Sequence, residues 1–171
     1  TLVYTLSLHD ALPISFVLFG PDNQIQIPRA RIESLFTVAP AVPSAVTGLD
    51  VETLRVLYRE GDAQAPGDGP VAADLGTALG LAPDQLVAVD GLSVAQLVAL
   101  ATDRDVVLIG GPVANPLVAE LGLASGVDQP GELEVELLPH GWGEGTALVI
   151  AGARREETRL GAVAVARTWF R

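Results

Sequence analysis

The chain has 171 residues, 49% of them hydrophobic but only 5% aromatic, which suits one domain whose core is filled by Val, Leu and Ala without help from disulfides or metal. Ten basic residues, all arginine, stand against 21 acidic ones for a net charge of -11, and this disfavours nucleic acid, since a polyanion would meet a strongly negative surface. The absence of cysteine excludes disulfides, thiolate metal centres and cysteine nucleophiles.

The chain begins at Thr1 without an initiator Met, so it reads as a fragment or processed product whose natural start, and any leader, lie elsewhere. Localisation is therefore not legible. The opening TLVYTLSLHDALPIS has no basic segment ahead of its apolar stretch, and His9, Asp10 and Pro13 break that stretch, unlike a secretion signal. No window supplies the about 20 apolar residues of a membrane span. The string YTLSLHDALPIS closely resembles translated read-through of a sequencing adapter. Residues 1–15 are therefore expected to be a non-native tail in which His9 and Asp10 have no role, followed by a single α/β domain over residues 16–171.

From Ser15, SFVLFGPDNQIQIP predicts a strand, a turn of four turn formers and a short strand ended by Pro28, as in a hairpin. RARIESLFTV reads as a helix to about Val38, after which Pro40 and Pro43 force extended chain. In LDVETLRVLYREG, Asp50 as N-cap, Leu54, Leu57 and Tyr58 at helical spacing and Gly61 as a stop predict a second helix. The loop DAQAPGDGP carries Asp62 and Asp68, but it lacks the spaced acidic ligands and closing Glu of a calcium loop and reads as solvated.

Beyond it, VAADLGTALGL predicts a short helix and QLVAVDG a short strand. LSVAQLVALATD predicts a helix capped by Ser93, with Leu97, Leu100 and Ala101 on one face. RDVVLIGG is a strand, PVANPLVAELG a helix, and SGVDQPG a loop. ELEVELL alternates Glu132, Glu134 and Glu136 with Leu133, Val135 and Leu137, the pattern of an edge strand with one acidic face. PHGWGEG reads as a turn, TALVIAG as the last strand and REETRLGAVAVARTWF as the last helix. Strand, glycine and helix thus recur in LVAVDG, DVVLIGG and ALVIAG with the helices that follow them. This predicts an α/β fold of three layers, a mainly parallel central sheet with helices on both faces and one acidic edge strand.

In such sheets ligands gather at the carboxyl ends of the strands, where GGPVAN and AGARREETR lie. Gly110 and Gly111 permit a sharp turn, and a helix N-terminus beyond them can bind an anion. Against this, there is no lysine, neither glycine-rich phosphate motif is met, and Pro112 removes a donor. GGPVAN is therefore read as a strand-to-helix junction, with a ligand loop as the alternative. Asn115, ahead of Pro116, fits an N-cap locking that turn. In ARREETR, Arg154, Arg155 and Arg159 could hold a carboxylate or phosphate, but neighbouring glutamates would pair with them, and Thr158 can bond locally. His140 has no nucleophile elbow or set of metal partners beside it and reads as a turn residue. The candidate ligand residues are Gly110, Gly111, Asn115, Gly152, Arg154 and Thr158, with no catalytic or metal set.

The pairing of DVVLIGGPVANPLVAELG with GTALVIAGARREETRLGAVAVA resembles the α/β domain of S-layer family proteins of the archaeal type, over roughly residues 84–167. In that family a strand ending Gly-Gly-Pro, an Asn three residues on and a short helix precede a final strand, Ala-Gly and a helix with Thr-Arg. The matching positions are Gly110, Gly111, Pro112 and Asn115, then Ala151, Gly152, Thr158 and Arg159. The resemblance implies a non-enzymatic structural module of the cell envelope, outside the cell or at its surface. It would associate with itself or with other envelope proteins, without a cofactor beyond weakly bound divalent cations. The alternative is a small-anion or nucleotide-binding α/β module, with enzymatic use open, whose crevice lies at the six candidate residues.

Overall fold

A computed structural model of the chain describes residues 2–6, 14–18, 42, 46, 48–61, 67–124 and 127–169. The chain divides into two compact units, Thr1–Thr37 and Val38–Arg171. In the first, β1 (Leu2–Leu6) pairs antiparallel with β2 (Ile14–Leu18), Leu2 opposite Leu18 and Leu6 opposite Ile14. The GPDN turn, the QIQI strand, the helix expected up to Val38, and His9, Asp10 and Asp62 lie outside the described residues.

The second unit runs β3 (Arg55–Tyr58), α1 (Gly69–Leu79), β4 (Leu86–Ala88), α2 (Val94–Ala101), β5 (Val106–Ile109), α3 (Pro116–Leu121), β6 (Leu133–Trp142), β7 (Gly145–Gly152) and α4 (Arg155–Trp169). Its five-stranded sheet has the order β4-β3-β5-β7-β6. The first four strands are mutually parallel, and β6 returns antiparallel along β7. Side chains alternate across the pleat, so each strand feeds both faces. Val56, Val107, Ile109, Leu148 and Ile150 pack with Leu75 and Leu79 of α1 and Val165 of α4. On the other face Leu57, Val106, Leu108, Ala147 and Val149 pack with Leu97 of α2 and Leu117 of α3. This is a three-layer α/β unit. Because β5 is covered on both faces, all four of its side chains are buried, which is why VVLI is an unbroken apolar run.

Local chemistry sets the helix ends. Ser93 and Gln96 form a reciprocal capping box at α2. Gly80 and Gly122, both left-handed, close α1 and α3. Pro116 occupies the first turn of α3, where its missing N–H costs nothing.

Three expectations are corrected. Residues 50–61 hold no helix. Asp50 caps a single turn, accepting from the Glu52 N–H at 3.1 Å and the Thr53 hydroxyl at 2.7 Å, and Leu54 N–H closes it on the Asp50 carbonyl. The chain then extends into β3, because Val56 and Leu57 must face opposite layers between β4 and β5. The i, i+3, i+4 spacing of Leu54, Leu57 and Tyr58 is coincidental, and the strand–loop–helix unit starts one repeat earlier than expected.

Second, PHGWGEG is not all turn. The strand β6 continues through Trp142 with an irregularity after Leu138, where His140 has a φ of 58°, and only Gly143 and Glu144 make the hairpin loop. Asp103 clamps that loop, its N–H donating to the Trp142 carbonyl at 3.0 Å and its carboxylate accepting from Glu144 N–H at 3.2 Å. Third, Asp68 is buried at the start of α1 rather than solvated.

The strand β6 closes one end of the sheet order. Of the three glutamates expected on its outer face, Glu132 lies ahead of the strand and turns back to accept from Asp128 and Gln129 N–H groups at 2.9 and 2.7 Å. Those bonds hold its carboxyl below the usual range. Glu134 and Glu136 are half-buried, and burial together with repulsion from Glu136 raises the Glu134 carboxyl.

Candidate functional site

The strand order reverses at β3 and β5. The loop after β3 leads to α1 on one face, and the loop after β5 leads to α3 on the other. Adjacent parallel strands whose loops part in this way leave a crevice at their carboxyl ends. The junction after β7 adds its third wall.

The β5 junction is built on Gly110, whose φ of 97° a side chain would resist. Its N–H donates to the Ile150 carbonyl at 2.9 Å, and a Cβ there would stand 3.0 Å from Asp68 Oδ2. Glycine therefore keeps the space above that carboxylate open. Behind the junction Asn115 is fully buried. Its Nδ2 donates to the carbonyls of Leu57 at 3.0 Å and Ile109 at 3.3 Å, and its Oδ1 accepts from Leu117 N–H at 3.2 Å. Both amide donors are thus committed to backbone.

Gly152 ends β7. A Cβ on it would come within 2.6 Å of Glu157 Cβ, so glycine lets the first turn of α4 sit against the strand. Thr158 directs its hydroxyl to the Arg154 carbonyl at 3.2 Å. The buried Glu157 turns away and accepts from Gly131 N–H through Oε1 at 2.9 Å.

The β3 loop closes on itself, Asp68 N–H donating to the Arg59 carbonyl at 2.7 Å and Gly67 N–H to the Glu60 carbonyl at 2.9 Å. Asp90, just past β4, steadies it by accepting from Glu60 N–H at 2.6 Å and lies 3.8 Å from Arg59 Nε. Asp68 is 7% exposed. Its side chain makes no capping bond to α1, and among the described residues no hydrogen bond reaches its carboxylate. Burial raises its carboxyl above the ordinary value, and Arg155 and Arg59 pull against that shift without reversing it.

These three junctions enclose a cavity of about 250 Å³. Gly110, Gly111, Gly152, Arg154 and Thr158 line it together. Asn115 does not; it braces the wall from inside. Sequence reasoning marked Arg155 as able to hold an anion without nominating it, and missed Arg59 and Asp68 as cavity groups. The available signal was LRVLY read as a buried strand, which puts Arg59 and the loop to Asp68 at a carboxyl end. His140 is exposed at the opposite end of β7, with Nδ1 3.8 Å from Glu144 Oε2.

No protein-family model matches the chain, and neither does any curated protein. Among the described residues no helix is long and apolar enough to cross a membrane, and no three His, Asp or Glu side chains gather as metal ligands. What the cavity offers is three arginines and one buried aspartate among the glycines Gly67, Gly110, Gly111 and Gly152.

Proposed function

We propose that the chain is a structural module of a cell-envelope or surface-layer-like protein and acts by self-association. The observation that supports this most is how the residues carrying the S-layer resemblance are used. Gly152 lets the α4 backbone pack against β7, Gly110 takes a φ that a side chain would resist, Asn115 commits its amide to three main-chain groups, and Thr158 bonds the start of its own helix. A motif whose polar groups serve the framework marks a domain type rather than a reaction. The net charge of -11 suits lateral contacts bridged by divalent cations, which would draw carboxylates from two copies.

Sedimentation velocity across a concentration series, with and without calcium, tests this. Concentration-dependent assembly enhanced by calcium is expected. A strict monomer at the highest concentration with calcium removes the reading.

The crevice favours a second reading, a small-anion or nucleotide-binding α/β module that takes its ligand at the carboxyl ends of the strands. Its support is the gathering of five of the six nominated residues around one cavity with Arg59 and Arg155. Thermal shifts with nucleotides and sugar phosphates test it, and stabilisation by at least one is expected. A flat response across the set removes it.

A further inference from the structure

The geometry points to a specific ligand class for the crevice: a small phosphate monoester bearing hydroxyl groups, with Asp68 accepting from the hydroxyls and Arg154 and the first turn of α4 holding the phosphate. This rests on the second reading above and is independent of self-association.

The argument starts from Asp68. A carboxylate that is 7% exposed and lines a cavity loses hydration, and among the described residues no donor replaces it. Among the described residues, then, its acceptor positions facing the cavity are open to donors on a ligand. Gly110 keeps the approach clear, because a side chain there would crowd Asp68 Oδ2. On the far wall Arg154 is exposed at the entry to α4, a helix of 15 residues whose first N–H groups lack partners within the helix. Glu156 and Glu157 lie in that first turn but do not line the cavity, and Glu157 is engaged with Gly131 N–H.

The two walls select the ligand by exclusion. A bare cation would face Arg59, Arg154 and Arg155, and a bare anion would face Asp68. An ammonium against Asp68 would sit among the same guanidiniums, whereas a hydroxyl donates without adding charge. Arg59 lies against Asp90 and Arg155 opposes Asp68, so it is the exposed Arg154, beside the first turn of α4, whose charge suits a phosphate monoester. A cavity of about 250 Å³ falls below the roughly 300–1,000 Å³ of drug-sized sites, so the ligand has the size of a phosphorylated polyol rather than a dinucleotide.

Calorimetric titration of the full chain with glycerol 3-phosphate, inorganic phosphate, glycerol and serine tests the assignment. Glycerol 3-phosphate should bind about tenfold or more tightly than inorganic phosphate, since hydroxyl bonds to a buried carboxylate are worth that factor. Glycerol and serine should bind more weakly than either. Asp68→Asn should erase most of the preference for the hydroxylated ester while leaving inorganic phosphate bound at least as well. Asp68 makes no side-chain capping bond that the substitution would break, and Asn has nearly the same shape, so this variant should fold, which circular dichroism checks. Arg154→Ala, at an exposed side chain, should weaken both phosphates about tenfold. Equal affinity for the two phosphates, a preference unchanged in Asp68→Asn, or tighter binding of serine overturns the ligand class but leaves a small-anion site standing. Absence of binding by every probe overturns both.

Discussion

Asn115 Nδ2 donates to the Leu57 carbonyl at 3.0 Å, joining the start of α3 to the middle of β3 across 58 positions of sequence. Because Asn115 is fully buried, this bond, its partner to Ile109 and the Leu117 cap are shielded from water. Asn115→Ala removes the bonds to two buried carbonyls and the cap, the carbonyls together and the cap each costing about 1–2 kcal/mol. Chemical denaturation should show a loss of roughly 2–4 kcal/mol. A loss below about 1 kcal/mol would mean that the residue is not a brace.

Gly152 and Gly111 separate packing from ligand access. A Cβ at Gly152 meets Glu157 Cβ and the Thr158 backbone, so Gly152→Ala should displace α4 and cost about 1–3 kcal/mol. A Cβ at Gly111 meets nothing within 4 Å, so Gly111→Ala should leave the denaturation midpoint near wild type. Equal losses at the two sites would contradict the packing described.

Asp68 carries a pH dependence. Its folded-state carboxyl is raised by burial, so the folded protein holds this proton more tightly than the unfolded chain does. The stability due to protonation is present below the unfolded value of 3.8 and is lost as pH rises through the raised folded value. Asp68→Asn removes that loss. It should be more stable than wild type at neutral pH, by a margin that shrinks as pH falls through that window. A margin constant across the titration, or one that grows in acid, would contradict the assignment.

Asp105 staples the amino ends of the strands. Its Oδ1 accepts from Thr146 N–H at 2.8 Å and its Oδ2 from Asp50 N–H at 2.8 Å, while its carbonyl takes Arg55 N–H at 3.1 Å. Asp105→Ala should cost about 1–3 kcal/mol through the two lost side-chain bonds. Hydrogen exchange should quicken at Asp50 and Thr146, with the cavity end unchanged. Faster exchange at Gly110 instead would place the staple's influence elsewhere.

Sequence by itself determined the repeated strand–glycine–helix pattern from residue 86 onward, and with it the layered α/β class. Each of those signals is local: a run of Val, Leu and Ile, a glycine tolerant of positive φ at Gly110, a serine cap at Ser93, a proline in a first helical turn at Pro116. The same signals brought Gly110, Gly111, Gly152, Arg154 and Thr158 forward, because they sit where parallel strands end. Only the tertiary structure decided β3. Its four residues are too few to display a period, and they are extended because β4 and β5 supply backbone partners on both sides. Asp68 follows from that. Nothing in GDGP announces a buried carboxylate; it becomes one when β3 lies beside β5 and the β3 loop folds back under Gly110. Burial and hydrogen-bond supply are properties of neighbours far apart in the chain, and local spacing does not encode them.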